Sequence, residues 1–332
     1  MINMPLLSVR DLHVSFGETE VLRGVNFDLE EGETLGVVGE SGCGKSMTGF
    51  AIMGMLQAPG RVSKGQILLE GKDLVNLPER VYRTIRGQEI ALVMQDPFTS
   101  LNPMMKVGDQ IAEVFWLHQG TPKAEARLLA VEMLRKVGVP SPEVSAKKYP
   151  HQMSGGQRQR VVIAMAFACK PKVLIADEPT TALDVTLQAQ ILRLLRELQE
   201  QEKTSVILIS HDIGAIASVS HRIAVFYAGR IIEIGTTEEV LRKAAHPYTR
   251  ALLNSLPRAG QTRLESIGGQ PPDFNLLTGE CSFAARCPLV IDACSVEPLL
   301  EKIEGNHCSA CHRAGEVLKL EFGKSLTELK VL

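Results

Sequence analysis

The stretch GESGCGKS, Gly39 to Ser46, constrains this chain more than any other. It fits G-x-x-x-x-G-K-[ST], with the apolar run TLGVV before it and the helical pattern MTGFAIMGM after it. Strand, loop and helix in that order are the context the pattern requires. Gly39, Gly42 and Gly44 let backbone N–H groups turn toward a phosphate, with Glu40, Ser41 and Cys43 filling the loop between them. The following helix offers unpaired amides and a favourable dipole end. Lys45 is expected to reach β- and γ-phosphates, and Ser46 to bind Mg²⁺.

KVLIADEP supplies a second acidic half. Its apolar strand delivers Asp177 at a carboxyl end, where ligands bind in open α/β sheets. Asp177 can hold Mg²⁺, and Glu178 follows where it can polarise a water. MSGGQRQR, residues 153 to 160, opens a further helix. Ser154 stands at an N-cap, and Gly155 and Gly156 permit close approach of an anion. One chain therefore carries two helix starts suited to phosphate.

The remaining pattern fits an α/β protein. SVRDLHVSF alternates, GQILLEG reads as another strand, and residues 106 to 170 are mostly helical in period. TSVILIS and KVLIADEP alternate with helical segments, and IAVFYAGRIIEIG predicts a hairpin turning at Ala228–Gly229. From residue 257 proline and glycine rise and periodicity fades, so a boundary is expected there: 1–256 as one domain and 257–332 as a tail. The 332 residues carry a formal net charge of −2, which gives no basic field to recruit nucleic acid. MINMPLLSVRDL has no charged region ahead of an apolar core, so no leader is expected. Runs such as VVIAMAFAC are far short of the ~20 residues of a membrane span. A membrane role would need another chain.

The motifs together resemble the ATP-binding cassette (ABC) family over roughly residues 6 to 256. Met153 stands where the family signature has leucine, and Ser154, Gly155, Gly156 and Gln157 follow it. The resemblance implies a P-loop NTPase core with an antiparallel β flank, a helical signature subdomain at about 97–170, and a small cysteine-rich tail. It also implies ATP and Mg²⁺ as cofactors. Gln95 in ALVMQDP matches the loop that contacts Mg²⁺ and the membrane subunits, and Asp184 in TTALD the loop that crosses the dimer interface. His211 in ILISHD matches the histidine that senses the γ-phosphate. Phe16 matches the aromatic that stacks on adenine, and an unrelated core Phe is the alternative. RGQEIALVMQDPFTSLNP, IADEPTTALDVTLQAQIL and HPYTRALLNSLP are similar to ATPase subunits of dipeptide and oligopeptide importers, a group that also handles nickel. That similarity implies two permease subunits, a second ATPase or a second copy of this chain, an extracytoplasmic solute-binding protein acting indirectly, and a place on the cytoplasmic face of the membrane. The rival reading is an ABC-type ATPase of DNA repair or chromosome maintenance.

Five of the seven cysteines lie between Cys281 and Cys311, spaced Cys281-x₅-Cys287-x₆-Cys294-x₁₃-Cys308-x₂-Cys311. Paired C-x₂₋₄-C knuckles favour zinc, and only Cys308 and Cys311 have that spacing. Longer gaps suit an iron–sulfur cluster. Some importer subunits that this chain resembles hold a [4Fe–4S] cluster in such a tail. Their pattern puts Cys308 in a variable slot and selects Cys281, Cys287, Cys294 and Cys311. Zinc with His307 or His312, or reduced thiols serving structure, stay open. Any metal centre would staple a tail too poor in apolar residues for its own core. Cys43 lies among converging amides, which predicts a lowered thiol pKa and a reactive sulfur; turned into sheet–helix packing it would be inert.

Overall fold

Two runs with no polar interruption, TLGVV and VLIAD, become strands buried at every position, Thr34–Val38 and Val173–Asp177. Such continuous burial is what parallel strands covered on both faces require. The computed structural model describes residues 4–181, 183–256 and 267–319. The boundary expected at 257 lies outside the described residues. Packing divides the chain into two units, one from residues within 1–28, 35–75 and 210–332, the other from 29–34 and 76–209.

The first unit holds an antiparallel sheet. Strand Leu7–Phe16 lies between Thr19–Leu29 and Gly60–Leu69, and the short strand Lys72–Asp73 closes the far edge. Its register runs from Leu7 opposite Leu69 to Phe16 opposite Gly60. The same unit carries a second sheet, in which Thr34–Val38 pairs in parallel with Arg222–Tyr227. The expected hairpin follows: Arg222–Tyr227 and Arg230–Thr236 pair antiparallel around Ala228 and Gly229, both at positive φ. Positive φ at both central residues matches the twist of a tight hairpin.

In the second unit, Ile90–Val93, Val173–Asp177 and Ser205–Ser210 pair in parallel. Helices Val107–Gln119, Lys123–Lys136, Gly155–Phe167 and Val185–Glu202 carry the 3.6 period expected of this region. In the last of these, Ile191, Leu192, Leu194, Leu195 and Leu198 form the buried stripe. Among the described residues no helix is long and apolar enough to cross a membrane.

The tail departs from expectation. Periodicity fades there in the sequence, yet Glu301–Glu304 and His307–Ser309 pair with each other, and the latter pairs with Arg230–Thr236. The tail therefore extends a sheet of the first unit, and backbone hydrogen bonds help to tie it down. A buried pair reinforces the junction: His307 Nε2 lies 2.7 Å from Glu233 Oε1, with side chains 2% and 0% exposed. Glu233 also accepts hydrogen bonds from the amides of Ala245 and His246 at 2.7 and 2.9 Å. His307 is thus committed to Glu233, and His312 Nε2 lies 2.9 Å from the Val296 carbonyl.

Glu233→Ala removes an acceptor shared by two buried amides and an imidazole. Each buried group left unsatisfied costs ~1–3 kcal/mol. The variant should show a lowered Tm and new proteolytic cuts within 267–319 before cuts elsewhere, read by mass spectrometry of a limited digest. Unchanged Tm and digest would show that the pair carries no weight in anchoring the tail.

Candidate functional site

The loop Gly39–Ser46, expected to wrap phosphate, begins where strand Thr34–Val38 ends. Gly39 has no room for a side chain, because a Cβ there would lie 2.3 Å from the Phe226 carbonyl oxygen. Gly44, at φ 105°, takes a left-handed turn as the N-cap of helix Lys45–Ile52. Lys45 is buried, and its Nζ donates to the carbonyls of Gly39 and Glu40, each at 2.8 Å. Ser41 and Gly42 are exposed at the loop's crown, and Ser46 is half-buried in the first helical turn.

Cys43 corrects an expectation. It is 6% exposed, and burial raises its thiol pKa despite the nearby ammonium of Lys45. Desolvation of the thiolate outweighs the attraction of one cation. Its burial favours the alternative reading, a sulfur turned into the packing.

In the second unit the acidic half assembles. Asp177 is buried at the end of its strand. Glu178 takes φ 46°, a left-handed conformation rare outside glycine. Its amide donates to the Ile209 carbonyl at 2.9 Å. Its Oε2 accepts hydrogen bonds from Gln95 Nε2 at 3.1 Å and Thr181 Oγ1 at 2.7 Å. The structure thus brings Gln95 and Glu178 together although 83 positions separate them. Thr181 was missed by sequence reasoning; it lies three residues past Glu178 in EPTT, a spacing that a local turn can close.

Ser154 caps helix Gly155–Phe167. Its Oγ accepts from the Gln157 amide at 3.3 Å, and Gln157 Oε1 accepts from the Ser154 amide at 3.2 Å. That reciprocal box gives Gln157 a structural task. Met153 is buried while Ser154 is exposed. Asp184 caps helix Val185–Glu202, its Oδ1 accepting from the Leu187 amide at 2.9 Å. His211 is exposed just beyond strand Ser205–Ser210. Phe16 is half-buried at its strand end, its ring against Gly60.

In the tail, burial raises the thiol pKa of Cys287, that of Cys281 to about 11 and that of Cys311 to about 12. Neighbouring thiols add to it: Cys311 feels Cys287, Cys281 and Cys294. Cys308 stands apart, influenced by Lys302, Arg222 and Glu239. Among the described residues, no group of three or more His, Cys, Asp or Glu forms an arrangement that could hold a metal ion. The expected ligands are neighbours, but they are not assembled as a metal centre here. Their sulfurs serve the backbone: Cys287 Sγ accepts from the Leu289 amide and Cys311 Sγ from the Arg313 amide, each at 3.4 Å.

Comparison with known proteins agrees with these motifs. Residues 22–181 match the ABC transporter family, and residues 232–294 match the oligopeptide/dipeptide transporter C-terminal region. The oligopeptide transport ATP-binding protein OppD of Bacillus subtilis is 51% identical over 312 residues, 91% of this chain and 87% of that protein. The dipeptide transport ATP-binding protein DppD of the same organism is 51% identical over 290 residues, 85% of this chain and 87% of that one. OppD of Escherichia coli is 47% identical over 320 residues, 94% of each. Among solved structures, cbiO1 from Clostridium perfringens superposes with a TM-score of 0.62 at 30% identity, over 71% of this chain and 90% of that one. A dimeric ATP-binding cassette in a post-hydrolysis state, bound to ADP and Pi, superposes equally well at 27% identity, over 70% of this chain and 98% of that one.

The chain belongs to the ATP-binding subunits of ABC transporters of the oligopeptide/dipeptide type. Its activity is ATP hydrolysis coupled to transport, and the reading as a DNA-repair or chromosome-maintenance ATPase falls away.

The burial of Cys43 sets a simple test. Brief maleimide treatment of the native protein should leave Cys43 unmodified, with or without MgATP, while unfolded protein labels fully. Rapid labelling that MgATP suppresses would restore the reactive-thiol reading.

Proposed function

We propose that this chain powers import of oligopeptides, dipeptides or a related small solute from the cytoplasmic face of the membrane. It would work with two permease subunits and a second ATPase, which is either unlike it or another copy. A solute-binding protein outside would deliver the cargo. The names of its relatives support the peptide class.

The observation that carries the catalytic reading is the grip on Glu178. A carboxylate held by Gln95 and Thr181, on a backbone at φ 46°, is fixed in direction. Strain of this kind, of order 1–3 kcal/mol, clusters at functional sites. Glu178 would orient and polarise the attacking water. Gly39, Glu40, Ser41, Gly42, Cys43 and Gly44 would wrap the phosphates, with Lys45 on the β- and γ-oxygens. Ser46, Gln95 and Asp177 would hold Mg²⁺, Phe16 would stack on adenine and His211 would meet the γ-phosphate. Ser154, Gly155, Gly156 and Gln157 would complete the partner's site, with Asp184 crossing the interface. Residues 1–256 form the cassette on this reading, with 97–170 as its helical part and 257–332 as the tail.

Glu178→Gln tests the assignment. It should bind MgATP yet lower turnover of the assembled transporter by at least about 100-fold, the range of a lost general base. Turnover within about threefold of wild type would sink it.

The tail reading is a [4Fe–4S] cluster on Cys281, Cys287, Cys294 and Cys311. Its support is that these four thiols influence one another while Cys308 does not join them. Bound, the cluster would supply iron–thiolate bonds linking distant tail segments. Anaerobically purified protein should be brown, with about four irons and four sulfides per chain. Cys311→Ser should lose most of the iron and Cys308→Ser should keep it. Zinc in protein made with ample iron would overturn the reading.

A further inference from the structure

Three groups hold Glu40, the residue that opens the phosphate loop after Gly39. Its amide donates to Tyr248 Oη at 3.0 Å. Its carbonyl accepts from Lys45 Nζ at 2.8 Å. Its carboxylate takes both Nη atoms of Arg286, at 2.7 and 2.9 Å. The first two partners belong to the cassette. Arg286 belongs to the tail, 246 positions downstream.

The guanidinium has little freedom. Its side chain is 4% exposed. Nη1 also donates to Tyr227 Oη at 3.2 Å, and Nε to the Gly268 carbonyl at 2.8 Å. It lies 5.7 Å from the ring centroid of Tyr227 and 5.9 Å from that of Phe283. Those rings pack on each other and on buried Tyr248. A planar fork locked in this way matches a carboxylate in both distance and direction, which a lysine could not do.

A second arm reaches the same loop. Glu297 of the tail binds Arg23 at 2.9 and 3.0 Å and Arg230 at 3.0 Å, and Arg23 also donates to Ser282 beside Cys281. The Arg23 amide donates to the Gly229 carbonyl, and the Gly229 amide to the Cys43 carbonyl, each at 2.9 Å. The tail thus touches the loop directly at Glu40 and through Arg23 and Gly229 at Cys43.

A loop that binds a polyphosphate anion carries an acid at its first variable position, and that acid must be turned aside and neutralised. We infer that Arg286 is a positioning residue for the phosphate loop: the tail's guanidinium orients and neutralises Glu40, so that affinity for MgATP depends on the docked tail. Arg286 touches no nucleotide on this account and acts only through Glu40. The inference rests on Gly39–Ser46 being the phosphate loop.

The test measures MgATP affinity of the full chain by calorimetry, with KM and kcat of the assembled transporter alongside. Arg286→Gln leaves the Glu40 carboxylate uncompensated beside the phosphates. Affinity should fall about tenfold, the effect of one charge several ångströms away at intermediate dielectric. The loss should lie in KM rather than kcat. Adding Glu40→Gln to Arg286→Gln removes the stray charge and should recover most of the affinity, which damage to the fold alone could not do. Arg286→Lys keeps the charge and should fall between. Wild-type affinity in Arg286→Gln would overturn the inference, and so would a double variant as weak as the single one, or Arg286→Lys as weak as Arg286→Gln. Lys45→Ala separates the two levels: if it binds MgATP as wild type does, the phosphate-loop assignment has failed instead.

Discussion

The nucleotide site depends on where one buried strand stops. Thr34–Val38 is covered at every position, so its side chains cannot take part in chemistry. What it can do is deliver the next residues to the carboxyl edge of the sheet. Gly39 is crowded by the Phe226 carbonyl and Gly44 must turn left-handed, so the chain can only wrap and enter a helix. On the proposed reading the loop's amides would be the functional groups, and their direction is set by packing behind them. Tyr248, Lys45 and Arg286 then hold Glu40 in place within that loop.

This division explains what the sequence could and could not reveal. Phosphate loop, acidic strand end and capped signature helix are local patterns, each written in fewer than ten consecutive residues. The parallel strands were legible because full burial leaves an uninterrupted apolar run. Cys43 could be read two ways because a motif gives the amides around a thiol but not its depth, and burial here raises its pKa. The tail strands were illegible for another reason. EKIE and HCS are short and polar; HCS takes its order from the edge of Arg230–Thr236, about seventy positions upstream, and EKIE from HCS. Arg286 was silent too, since a guanidinium's partner lies wherever the fold brings a carboxylate.

Glu178 shows how identity and conformation separate. The order Asp-Glu-Pro marks the position, and Pro179 disfavours the ordinary helical region for the residue before it. The left-handed backbone needs more than that. A hydrogen bond from its backbone amide to the Ile209 carbonyl and side-chain hydrogen bonds from Gln95 and Thr181 over-determine it. Strain persists only where surrounding contacts outweigh it. A glutamate in a relaxed turn could swing its carboxylate freely, whereas two side-chain hydrogen bonds hold the direction of this one.

The tail raises a different question, which is why its docking is so polar. Leu289 and Val317 make a small apolar cluster with Ala251 and Cys287, and Phe283 packs on the rings of Tyr227 and Tyr248. The polar ties are strand pairing, the Glu233–His307 pair, and the clasps of Glu297 and Arg286. Buried ion pairs are a weak route to stability, because desolvation cancels much of the attraction. They discriminate sharply between one arrangement and its neighbours, since a displaced partner leaves a charge uncompensated. A purely apolar junction would hold the tail while tolerating small slides. A fork on Glu40 does not tolerate them, so the geometry of the phosphate loop and the seating of the tail are set by the same contact.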